Sequence, residues 1–78
     1  MSDIEEEIIG IIAKSLEGGE ININSSVENT EEWDSLGHLS ILVSLDKRFN
    51  GEVAGIKKMA NIDSVKSILN VLKNNNLI

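Results

Sequence analysis

The chain has 78 residues, enough for one hydrophobic core and too few for two, so residues 1–78 are read as a single domain. It contains no cysteine, which excludes disulfides and thiolate metal sites, so any sulfur chemistry must use a sulfur brought from elsewhere. The net charge of -6 is uneven: residues 1–45 hold ten acids against Lys14 alone, and residues 46–78 hold six bases against three acids, a balance that argues against nucleic acid and favours basic protein surfaces as partners.

The opening string "MSDIEEE" carries acids where a secretory or mitochondrial leader would need Lys or Arg. No apolar run approaches the length of a membrane span. The expectation is a cytoplasmic protein with no membrane association. Ile4, Ile8, Ile11, Ile12 and Leu16 then recur on one face of a helix that ends near Gly18 and Gly19. Its first turn is acidic, as the helix dipole prefers. Residues 18–34, "GGEININSSVENTEEWD", form a polar connection with Ile21, Ile23, Val27 and Trp33 as isolated apolar anchors. Ordered loops this long are usually functional or wrapped across a core. The alternation in "EININS" fits a strand, but a single short strand has no partner here.

Leu36, Leu39, Leu42, Val43 and Phe49 mark a second helix, opened by Asp34 or Ser35 and closed near Asn50 and Gly51. Ile56 and Met59, three apart, fit one or two helical turns. A final helix starts after Asp63, carries Val65, Ile68, Leu69 and Leu72 inward, and frays into "NNNLI". The predicted fold is all-α: a small four-helix bundle of three longer helices and one short one, with a long loop between the first and second.

An Asp-Ser-aliphatic string occurs twice, as Asp34-Ser35-Leu36 and Asp63-Ser64-Val65. In both, Asp at the N-cap can accept from N–H groups of the first turn. For Ser64 that structural role suffices. Ser35 differs, because it ends the acidic loop and begins the most apolar helix, so a group attached there would leave the bundle beside its core. A helix start also suits a phosphodiester, through its free N–H groups and positive dipole end. Asp34, Ser35 and His38 invite comparison with a hydrolytic triad. All three lie within one turn, however, with no visible oxyanion hole or second pocket wall, so no catalysis is expected. His38, the only histidine, reads as a surface or partner contact rather than a metal ligand. Trp33, the only tryptophan, reads as a core plug or loop anchor.

The stretch "WDSLGHLSILVSLDKRF", with a helix before it and "NIDSVKSILNVL" after it, resembles the acyl carrier proteins and their peptidyl relatives. The resemblance covers nearly the whole chain: its length, acidity, first helix, long loop, D-S-L opening the second helix, Phe at that helix's end, and two further helices. It implies an acyl-carrier-like bundle in which Ser35 carries a phosphopantetheine arm, donated by coenzyme A through a separate phosphopantetheinyl transferase. The arm's thiol would hold an acyl or aminoacyl thioester. Asp34 would cap the helix and help the transferase place its metal and the serine. Leu36 and Trp33 would fix the loop and help form the docking surface.

The other implied partners are an acyl- or aminoacyl-loading ligase and a downstream transferase or synthase, with the carrier itself a monomer and not an enzyme. Leu39, Val43, Ile56, Met59, Ile62 and Leu69 are candidates to line a cleft for the cargo or to form ordinary core. Fatty-acid carriers place acids on the second helix where this chain has Gly37 and Ser40, and this departure from the family pattern points to a specialised pathway. Gly37 weakens the first turn by about 1 kcal/mol relative to Ala, which suggests space kept for a partner or the arm. Asp early in a helix suits the dipole, so Gly37→Asp together with Ser40→Glu is expected to leave the domain folded. The rival expectation is an unmodified helical adaptor using the same acidic surface.

Overall fold

The isoleucine spacing and acidic first turn produce helix α1, Asp3–Ser15, in a computed structural model that describes residues 3–78. Met1 and Ser2, which open the acidic string weighed above against a leader, lie outside the described residues. Ile8 and Ile12 of α1 and Leu16 just beyond it are buried. The helix closes through a left-handed turn at Glu17 and Gly18, with the Gly18 N–H donating to Ala13 O at 2.8 Å.

The long loop is held at both ends and in the middle. Ser25 and Thr30 are buried within it, and the Ser25 hydroxyl accepts from the Asn22 N–H at 3.0 Å. Ser26 forms an isolated antiparallel bridge with Ser64. Two hydrogen bonds flank this bridge: the Val27 N–H donates to Asp63 O at 2.9 Å, and the Val65 N–H donates to Ser25 O at 3.0 Å. The backbone partner that the sequence left wanting is therefore the residue pair that opens the last helix. The pairing is one residue long, and no strand forms among the described residues.

Helix α2 spans Ser35–Arg48 with Asp34 as its N-cap and Phe49 as its C-cap. Its buried side is Ile41 and Leu45, extended by Phe49. Three of the residues used to mark this helix lie on the other side: Leu36, Leu39 and Val43 are 76%, 57% and 47% exposed. The helix end is tied to the following turn by Asp46, whose carboxylate accepts from the Val53 and Ala54 N–H groups at 3.1 and 2.8 Å.

The expected short helix is a 3-10 helix, Lys57–Asn61, that sends Met59 into the core. Helix α3, Val65–Asn74, buries Val65, Ile68, Leu69, Val71 and Leu72. The described residues thus form three α-helices and one 3-10 turn around one buried cluster. No helix among them is long and apolar enough to cross a membrane.

Two ion pairs join the acidic first helix to the basic second half: Glu7 with Arg48, whose Nη2 also donates to Glu7 Oε1 at 3.3 Å, and Glu5 with Lys73 at 3.0 Å. The hydrogen bond from Arg48 holds the Glu7 carboxyl below its ordinary value. Its stabilising contribution is therefore complete above the ordinary carboxylate pKa and lost as pH falls through the lowered one. These two pairs engage few of the ten acids in residues 1–45. Raising ionic strength to about 0.1 M, where screening acts within roughly 10 Å, should therefore raise the melting temperature. Each kcal/mol of relieved repulsion corresponds to about 4–8 °C in a domain of this size. A melting midpoint independent of salt and magnesium would show the repulsion to be already compensated.

Candidate functional site

The two Asp-Ser strings fold one residue out of register with each other. At α2 the cap is the aspartate: Asp34 is extended, at φ -98° and ψ -167°, and its Oδ1 accepts from the Gly37 N–H at 2.8 Å. That makes Ser35 the first helical residue, exposed, with no side-chain hydrogen bond among the described residues. At α3 the cap is the serine itself. Ser64 Oγ accepts from the Ser67 N–H at 3.2 Å and donates to Ser67 Oγ at 2.9 Å. The expectation of an aspartate cap is met at Asp34 and corrected at Asp63, whose carbonyl is instead recruited by Val27. One serine is thus committed to its helix and the other is free.

Trp33, next to the cap, is 3% exposed and fixes the end of the loop. Its role as an anchor is observed, and its burial leaves little of its surface open. Its indole N–H donates to His38 Nδ1 at 3.1 Å, and the two rings lie nearly parallel, 17° apart with centroids 6.3 Å apart. His38 Nε2 lies 2.8 Å from Met59 O, so the ring carries its proton on Nε2 and donates it to that carbonyl. His38 is partly exposed, and its two hydrogen bonds make it a strut that joins the loop, α2 and the 3-10 helix. Both of its nitrogens are engaged, which leaves no lone pair to take a proton from Ser35.

Ser35 stands between two open grooves. One includes Val27, Trp33, His38, Ala60 and Ile62, and the other Glu17, Glu32, Leu36, Gly37 and Ser40, with Asp34 shared by both. The six residues offered as a cargo cleft do not form one: Leu39 and Val43 are exposed on the outer side of α2, apart from the other four, which share the core cluster or pack against it. Met59 and Leu69 are core, and Ile56 and Ile62 are half-buried beside the 3-10 helix.

Gly37 is explained by the chain itself rather than by a partner or an arm. A Cβ placed there would collide with the backbone oxygen of Glu32 and sit 2.7 Å from Leu16 Cδ2. The loop closes against the first turn of α2 through the space that the missing side chain leaves. Gly37→Asp is consequently not a tolerated change.

Charge and exposure thus place a free hydroxyl beside an acidic cap and a row of exposed aliphatic side chains. No group of three or more potential metal ligands occurs among the described residues. The chain matches no protein-family model, no curated protein and no solved structure.

Proposed function

We propose that the chain is an acyl carrier protein, an acyl-carrier-like bundle of four helices when the 3-10 turn is counted, which bears a phosphopantetheine arm on Ser35. The observation that carries this reading is the release of the Ser35 hydroxyl by the Asp34 cap, at the first position of an intact helix. An exposed, unbonded hydroxyl can enter a transferase without breaking any interaction of its own fold. In the reaction, Ser35 Oγ forms a bond to the phosphoryl group that bears the pantetheine of coenzyme A. The phosphoanhydride bond breaks, adenosine bisphosphate leaves, and the hydroxyl proton passes to a base of the transferase. The new phosphodiester would lie at the positive end of α2, which favours its negative charge.

The chain's own contribution is to present the arm. Asp34 holds the first turn in place, while Leu36, Leu39 and Val43 offer an apolar surface beside it to the loading ligase and the downstream transferase or synthase. His38 has no free lone pair for chemistry. The protein would act as a cytoplasmic monomer without catalysis of its own. The arm supplies the thiol that a cysteine-free chain lacks. The test is incubation with coenzyme A and a broad-range phosphopantetheinyl transferase, followed by intact and peptide mass. One arm on the peptide containing Ser35 is expected, and no uptake overturns the proposal. The exposed stripe on α2 equally suits an unmodified adaptor, and protein purified from its own host without an arm would favour that reading.

The docking face is apolar where a basic fatty-acid enzyme would seek acids, since Leu36, Leu39, Ser40 and Val43 carry no charge. The armed protein should therefore accept malonate slowly from a general malonyl transferase, with little dependence on salt. Ser40→Glu should raise that rate severalfold and make it fall as salt is added. Rapid transfer to the unaltered protein would remove the inference of a specialised pathway and leave the carrier assignment intact.

A further inference from the structure

A third groove runs between the 3-10 helix and α3, and it shares only Ile62 with the groove beside Ser35. Its apolar part is Ile56, Ile62 and Val71, and its polar part includes Lys57, Lys58, Asn70 and Asn74. No acid lines it, in a chain with 13 acids and 7 bases. Lys57 and Lys58 are exposed and make no ion pair among the described residues, unlike Arg48 and Lys73, which hold Glu7 and Glu5. The Asn70 and Asn74 side chains make no hydrogen bond there either, whereas the neighbouring Asn75 amide is committed to Val71 O at 2.8 Å.

We infer that this groove binds an extended acidic segment of a partner protein. Asn70 and Asn74 are four residues apart on one helix, a rise of about 6 Å. Alternate residues of an extended chain repeat at about 6.6–6.8 Å, so the two amides can pair with successive like-facing peptide units of one strand. The side chains facing the groove then meet Ile56, Ile62 and Val71 and must be aliphatic. Those at the rim meet Lys57 and Lys58 and must be carboxylates. A small inorganic anion would use the lysines alone and leave both the apolar floor and the amide pair without a function. The inference does not depend on the arm, because no residue of the groove carries it.

The test uses fluorescence anisotropy of a labelled peptide of alternating Glu and Leu against the full chain, beside the same peptide with Gln for Glu. The Glu peptide should bind, and its affinity should fall with salt. The variant Lys57→Glu with Lys58→Glu should weaken binding about tenfold, since two exposed charge pairs are each reversed. Both lysines are exposed and outside the core, so thermal melting should show the variant folded. Asn70→Ala with Asn74→Ala should weaken binding while keeping its salt dependence. Ser35→Ala should bind the peptide unchanged, which separates this inference from the carrier proposal. No binding of the Glu peptide, equal binding of the Gln peptide, indifference to the lysine reversal, or full displacement by inorganic phosphate would each overturn it.

Discussion

Ser35→Ala should melt with the unaltered protein and take up no arm, while Ser64→Ala should take up the arm in full and melt earlier. The two serines follow an aspartate and precede an aliphatic residue, yet the opposite outcomes follow from one difference in helix register. Ser35 is the first residue of α2, exposed and unbonded, so removing its oxygen breaks nothing. Surface changes of this kind stay within about 0.5 kcal/mol. Ser64 is the cap of α3, and its loss leaves the Ser67 N–H without its acceptor. Loss of such a cap costs about 1 kcal/mol, or about 4–8 °C in a chain of this length. Mass spectrometry after treatment with coenzyme A and a transferase reads the first effect, and thermal melting reads the second. An arm found on Ser35→Ala would move the attachment point elsewhere and end the present assignment.

The helices were legible where the sequence offered a single apolar face. In α3, Val65, Ile68, Leu69 and Leu72 have no rival stripe, and all four are buried as expected. Helix α2 offers two. Leu36, Leu39 and Val43 follow an i, i+3, i+7 pattern, and so do His38, Ile41 and Leu45. At 3.6 residues per turn the two sets lie about 200° apart, so periodicity fits either side. The choice is made by the loop before α2. Trp33 is buried against His38 and turns the His38 side inward, and that packing is absent from any local pattern.

The same holds for the site. That Ser35 opens a helix was legible from its neighbours, but which member of each Asp-Ser pair would cap was not. At Asp63 the backbone is drawn into the bridge with the long loop, and the cap passes to the next residue. A single histidine likewise gave no sign of its two partners, which lie five and twenty-one residues away.

Gly37→Ala should destabilise the fold, and Gly10→Ala should stabilise it, although both glycines lie inside α-helices. Intrinsic propensity alone favours Ala over Gly by about 1 kcal/mol at either position. At Gly10 nothing lies within 4 Å of an added Cβ, so that gain is realised. At Gly37 the added atom meets the Glu32 backbone oxygen and Leu16 Cδ2, the latter at 2.7 Å. The Leu16 side chain is buried in the core, and the Glu32 oxygen precedes the anchored Trp33, so neither yields freely. Overpacking of this kind costs about 1–3 kcal/mol and at times more, which outweighs the propensity gain when both neighbours must shift. The melting temperature should fall for Gly37→Ala and further for the larger Gly37→Asp, and it should rise for Gly10→Ala. A Gly37→Ala protein as stable as Gly10→Ala would mean that the loop is free to move away from α2. If the fall is observed, an acid added to the exposed side of α2 belongs at Ser40, because the position three residues before it is reserved for the closure of the loop against α2.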